Sequence, residues 1–171
     1  MFSKLKKKPF KEVKNNKEED IYEKLNSISV FDDVEKNAGV IKKIFDKNNC
    51  YIQKSLALGA SNIRVLLFYM KGMIDEKLLV QSIVKPIMDI RTAEVDKNKN
   101  SIDYIKKEVI TSGEIQEATK FDLITYELLS GNTIIFVDGC KTSLIIGTKG
   151  IKERNVEKPD TEQTIRGNKQ S

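Results

Sequence analysis

The 171-residue sequence has no histidine, no tryptophan, only two cysteines and three prolines, and no apolar run near the ~18 residues that a membrane-spanning helix needs. Without histidine, Ser-His-Asp and Cys-His nucleophile systems are excluded, and zinc loses its commonest ligand. Cys50 and Cys140 stand apart, without C-x-x-C spacing or the cysteine density of a small secreted scaffold. They read as small core or turn residues in a reducing, cytosolic compartment. Lysines at positions 4, 6, 7 and 8 resemble the start of a signal peptide, but no apolar stretch follows, so export is not expected. Gly147-Thr148-Lys149-Gly150 lacks the spacing of a phosphate loop and reads as the loop after a last strand. Asp75, Glu76 and Asp138 fall at element ends, where capping and turn formation account for them. Nothing nominates a general acid and base, so no enzymatic activity, cofactor or metal is expected.

Charge is present in quantity, and its position matters more than its sum. The net charge is +5. Residues 1–20 carry seven lysines against four acids, and residues 149–171 carry six basic groups against four acids. Residues 21–148 hold seventeen of each sign, so the part expected to fold is neutral. A nucleic-acid-binding face would have to neutralise several phosphates, and that middle balance offers no surplus for it. Phe2, Leu5 and Phe10 among the N-terminal lysines form a segment able to touch an anionic bilayer, although the acids at 12, 18, 19 and 20 dilute its field.

The length suits about one domain. Residues 1–20 alternate charge with asparagine, bury too little to offset ordering entropy, and are expected to be disordered. Asp32, three residues ahead of Glu35, opens a helix in capping-box fashion that carries Val34, Ala38, Ile41, Ile44 and Phe45 as far as Lys47. A strand over 51–58, a turn at 59–62 and a nearly all-apolar strand over 64–70 follow, and Lys71-Gly72 ends the second strand. Asp75 caps a helix with the stripe Leu79, Ile83 and Ile87, which Pro86 is expected to stop at Lys85. The polar stretch 92–100 reads as a boundary between two lobes.

Beyond it, Ile102, Ile105 and Val109 share one helical stripe, and Ser112-Gly113 turns the chain. A further helix over 121–130 would bury Phe121, Ile124 and Leu128 and end at Gly131 as its left-handed C′ residue. The run 133–137 is β-branched and aromatic throughout, as in a strand covered on both faces. Asp138-Gly139 then predicts a type I′ hairpin into a strand over 142–146. From Lys149 onward the chain is charged and nearly without apolar residues, like a connector. The expected class is α/β with two small α/β lobes: a basic tail and lead-in over 1–29, a first lobe over 30–98, a second over 99–148 and a connector over 149–171. Gly72, Gly131, Asp138 and Gly139 are the structural turn positions.

Three blocks of sequence carry a family resemblance. The first is Tyr69-Met70-Lys71-Gly72-Met73-Ile74-Asp75-Glu76-Lys77-Leu78, followed by Ile83-Val84-Lys85-Pro86-Ile87-Met88. The second is Leu129-Ser130-Gly131-Asn132-Thr133 with Phe136, Asp138 and Gly139, and the third is Pro159, Glu162 and Arg166-Gly167. Together, over about residues 44–171, they resemble the cytosolic N-terminal domain of the GerA-type spore germinant receptor A subunit. The resemblance implies a place on the cytosolic side of the spore inner membrane, with the connector leading toward a membrane domain absent from this chain. It also implies an integral membrane B subunit and a lipoprotein C subunit as partners, in a receptor that answers nutrients and starts germination through ion release. Two roles fit: a non-enzymatic assembly and signalling module, or a nutrient-binding module with its ligand between the lobes. Pro159, Glu162, Arg166 and Gly167 would then be connector residues that meet the lobes or a neighbouring subunit.

Overall fold

The continuous apolar run Thr133–Val137 is buried at every position because it is the middle strand of one five-stranded sheet. The computed structural model describes residues 16–90, 95, 100–111 and 113–150. Its strands are β1 (Tyr51–Leu58), β2 (Ile63–Met70), β3 (Ile115–Ala118), β4 (Thr133–Val137) and β5 (Ser143–Ile146), in the order β1-β2-β4-β5-β3 with every pair antiparallel. Five helices accompany them among the described residues: α1 (Asn16–Ser27), α2 (Val34–Ile44), a helix α3 formed by Glu76–Leu79, Val80–Val84 and Lys85–Asp89, a helix α4 formed by Asn100–Tyr104 and Ile105–Val109, and α5 (Phe121–Leu129).

Side-chain alternation divides the core between the two faces of the sheet. Val65, Leu67, Ile135, Val137 and Leu144 point to the face covered by Leu79, Ile83 and Ile87 of α3 and Ile102, Ile105 and Val109 of α4. Leu66, Phe68, Ile134, Phe136 and Ile145 point to the face covered by α1, α2 and α5. On that second face Phe136 meets Phe68 edge-on and Phe121 in a stack, with centroids 5.8 and 5.9 Å apart. The helical stripes expected from spacing are therefore the buried faces of α3, α4 and α5. Both sheet edges are blunted: β1 carries Lys54, its ammonium 5.9 Å from the Tyr69 ring centroid, and β3 is four residues long with Gln116 and Glu117 exposed.

One sheet takes the place of two lobes. β2, from the stretch 30–98, pairs with β4, from the stretch 99–148, with Val65 opposite Val137 and Phe68 opposite Ile134. Val95, inside the polar stretch read as a boundary, is buried against the α3 and α4 core. Local polarity indicated a connection there but not that the strands on either side of it join.

Three local expectations change for identifiable reasons. Asp33, not Asp32, caps α2, accepting from the Glu35 N–H at 2.8 Å, and the helix ends at Ile44 instead of Lys47. Pro86 does not stop α3: Lys85 has φ −59° and ψ −50°, and the helix runs to Asp89. The turn Val80–Val84 is π-helical, and its wider winding accommodates a proline that an α-helical turn would force out. The β4–β5 connection is not type I′, since Gly139 has φ +86° while Asp138 keeps a negative φ. The Cys140 N–H donates to the Val137 carbonyl at 3.1 Å, and the connection spans residues 138–142. At the N-terminus, residues 16–20 of the expected tail belong to α1, held by buried Leu25; residues 1–15 lie outside the described residues.

Candidate functional site

The turn residues anticipated from sequence separate to the two ends of β4. At its C-terminal end, Asp138 and Gly139 fasten the hairpin to other elements: the Asp138 N–H donates to the Arg64 carbonyl at 2.9 Å and the Gly139 N–H to the Asp32 carbonyl at 2.7 Å. The lead-in carrying Asp32 is itself clamped by buried Asn37, whose amide exchanges two 2.8 Å hydrogen bonds with the Phe31 backbone. Beside this hairpin lies a cavity of about 300 Å³, lined by Ile102, Asp103, Glu117, Cys140, Lys141 and Thr142 among others. Burial pushes the Cys140 thiol above its ordinary 9.0, against the opposing hydrogen bonds of the Ile102 backbone and Ser101, with the Asp138 charge adding to the rise. A thiol held neutral in this way is a poor nucleophile. Among the described residues no group of three or more Cys, Asp or Glu is placed to hold a metal ion, and no helix is long and apolar enough to cross a membrane.

At the N-terminal end of β4, three backbone segments meet. Helix α5 closes in a Schellman arrangement: the Gly131 N–H donates to the Leu128 carbonyl at 3.2 Å and the Asn132 N–H to the Glu127 carbonyl at 3.1 Å, with Gly131 at φ +90°. Gly72, at φ +77°, turns the chain out of β2 so that residues 73–75 pass the same point. Against them runs the segment 147–150. Ile74 and Lys149 form an antiparallel bridge; the Asp75 N–H donates to the Thr148 carbonyl at 2.8 Å, and the Gly150 N–H to the Met73 carbonyl at 3.0 Å. Beneath them the buried hydroxyls of Thr133 and Thr148 meet at 2.7 Å.

One of these positions requires glycine and a second is crowded for anything larger. A β-carbon on Gly131 would lie 2.9 Å from the Met73 carbonyl oxygen, and one on Gly150 would lie 3.1 Å from the Ile74 carbonyl carbon. The segment read as a plain loop is thus a clasp on the backbone of residues 73–75. It also reaches the N-cap of α3, because Asp75 both receives the clasp and accepts from the Leu78 N–H at 2.9 Å. Sequence reasoning missed Asn37, Thr133 and Thr148, since their partners are close in space and, for the threonine pair, 15 residues apart in the chain. The connector residues Pro159, Glu162, Arg166 and Gly167 lie outside the described residues. Among the described residues, β2 and β4 pair directly, so the stretches expected as two lobes share one sheet.

The pattern of the Bacillus/Clostridium GerA spore germination protein family matches residues 39–171. Spore germination protein KA of Bacillus subtilis is 25% identical over 149 residues, covering 86% of this chain and 27% of that one. An uncharacterized membrane protein of the same organism, YfkQ, is 24% identical over 102 residues, covering 60% of this chain and 19% of its own length. The chain thus spans about a quarter or less of these relatives. Among solved structures, the N-terminal domain of the A subunit of the Bacillus megaterium spore germinant receptor GerK3 superposes with a TM-score of 0.61 at 20% identity, over 73% of this chain and 49% of that one. With the family's pattern matching most of its length, the chain belongs to the Bacillus/Clostridium GerA spore germination protein family, and it shares the fold of that solved domain.

Proposed function

We propose that this chain is a non-enzymatic assembly and signal-transmission module on the cytosolic face of the spore inner membrane. It holds its continuation toward a membrane domain in a fixed position relative to a rigid α/β unit. One observation carries the reading: the segment 147–150 is fastened at once to the N-cap of α3 and to the start of β4, so a pull on the chain beyond Gly150 acts on both. Coupling between distant sites needs such a contiguous, well-packed path. The integral membrane B subunit and the lipoprotein C subunit are the partners this role requires. Pro159 stiffens the connector, Gly167 bends it, and Glu162 and Arg166, four residues apart, make its polar contacts with the folded unit or a neighbouring subunit.

Spores carrying Glu162→Ala together with Arg166→Ala test this. Germination should slow or receptor levels should fall, while the purified chain keeps its stability to within about 0.5 kcal/mol, as surface substitutions usually do. Normal germination with normal receptor levels would reduce the connector to a tether.

A further inference from the structure

Strand β1 lies at one edge of the sheet and pairs with β2 in one unbroken register, from Tyr51 opposite Met70 to Leu58 opposite Ile63. Edge strands are normally short, bulged or charged. β1 has eight residues, no bulge, and Lys54 as its one charged side chain. The hydrogen-bond phase of the pair settles which backbone groups face outward. The Lys71 N–H donates to the Cys50 carbonyl at 2.7 Å, so residues 52, 54, 56 and 58, stepping by two from Cys50, bond to β2. The N–H and C=O groups of Tyr51, Gln53, Ser55 and Ala57 therefore point away from the sheet. Gly59 continues that series, and its N–H donates to the Ile90 carbonyl at 3.0 Å. Among the described residues, the outward groups of Gln53, Ser55 and Ala57 have no such partner, and all three residues are exposed. Beside them runs a groove of about 660 Å³, bounded by Ser55, Leu56 and Ala57 on the strand and by Met88 and Ile90 at the C-terminal end of α3. Met88 is 49% exposed.

We infer that this edge takes up an extended segment of another polypeptide as an added antiparallel strand, with an acidic residue opposite Lys54 and an apolar residue opposite Leu56. Main-chain hydrogen bonds to Gln53, Ser55 and Ala57 hold the segment, and alternate side chains select it. Antiparallel pairing is the more stable kind per residue and continues the pattern of the whole sheet. Opposite 52, 54 and 56 the added residues form the close pairs between hydrogen bonds, on the face where Ile52, Leu56 and Tyr69 lie. Charge complementarity chooses the acid. The Lys54 ammonium lies over the Tyr69 ring and, among the described residues, has no carboxylate within salt-bridge reach.

A second copy of this chain fits the edge poorly. Antiparallel pairing joins outward-facing residues to outward-facing residues, so two copies of β1 can meet about Gln53, Lys54 or Ser55 as the central residue. Centred on Lys54, the pair sets like charges directly opposite each other. Centred on Ser55, it brings Tyr51 of each copy against Gly59 of the other, where the Ile90 carbonyl already stands. Centred on Gln53, it pairs only residues 51–55 of the strand. Lys54 thus blunts the edge against its own kind while leaving it open to an acidic strand.

The capped peptide acetyl-Thr-Val-Thr-Glu-Thr-Ile-Thr-amide, which sets valine opposite Leu56 and glutamate opposite Lys54, tests the assignment on the 171-residue chain. In amide hydrogen exchange followed by NMR, saturating peptide should slow Gln53, Ser55 and Ala57 by about tenfold or more. Ile52, Lys54 and Leu56, already bonded to β2, should not change. Lys54→Glu should weaken binding of this peptide by about fivefold or more, and strengthen binding of the same peptide with lysine in place of glutamate. Ser55→Pro should abolish binding, since proline removes an outward N–H and spares the β1–β2 ladder. If Ser55→Pro lowers the melting temperature by several degrees, N-methylation of the peptide takes its place. A methyl on the residue opposite Ser55 should abolish binding, and one on the glutamate, whose N–H faces away from β1, should not. No binding at millimolar peptide would overturn the proposal. Binding indifferent to Ser55→Pro and to both methylations would also overturn it, by placing the peptide elsewhere. Self-association of the chain that Ser55→Pro removes would make a second copy the occupant and overturn it equally.

Discussion

Gly39 and Gly131 have opposite requirements, and substitution by alanine should separate them. Gly131 sits at φ +90° with its missing β-carbon directed at the Met73 carbonyl, so Gly131→Ala incurs backbone strain and a steric clash together. It should destabilise the chain by about 2 kcal/mol or more. Gly39 lies within α2, and nothing stands within 4 Å of the place its β-carbon would take. Gly39→Ala should stabilise by about 0.5–1 kcal/mol, because a glycine inside a helix forfeits that much to backbone entropy. Urea denaturation midpoints measure both signs; a neutral Gly131→Ala would contradict the role given to the α5 terminus. Glycines of the first kind were legible in the sequence, since Leu-Leu-Ser-Gly ends a helix by local rules. Gly150 was not, because what crowds a β-carbon there is the backbone at Ile74, 76 residues earlier in the chain.

Among the elements, those fixed by local periodicity were legible and those fixed by pairing were not. The stripes Leu79/Ile83/Ile87, Ile102/Ile105/Val109 and Phe121/Ile124/Leu128 pointed to the core because each repeats within a single helix. The same logic stopped α3 at Pro86, since spacing contains no sign of the π-helical turn that accommodates the ring. It also split one sheet in two, since the β2–β4 register depends on a contact made across α3 and α4. The clasp 147–150 belongs with the paired elements, and its contribution can be measured. Thr148→Val leaves the Thr133 hydroxyl buried without this partner and should cost about 1–2 kcal/mol. Adding Thr133→Val should cost less than the sum of the two single changes, since the pair is then replaced by apolar groups of similar shape. Strict additivity in the double-mutant cycle would mean that the two hydroxyls do not interact.

The described molecule is one antiparallel sheet with helices on both of its faces, and its segment 147–150 is clasped to the N-terminal end of the central strand. The central claim is that the clasp, and not mere attachment, links this unit to the rest of the receptor. The most direct test is the rate of nutrient-triggered germination in spores whose A subunit carries Gly150→Val. A β-carbon here would press on the Ile74 backbone, 3.1 Å away, and valine's two methyls add to the crowding, so the bridge to Lys149 should open. Faster exchange of the residue-150 amide in the purified chain would report that opening, while an unchanged melting transition would show that the sheet remains folded. The account predicts slowed germination at normal receptor abundance. Germination at the wild-type rate, with the bridge open and the receptor present in full, would contradict it.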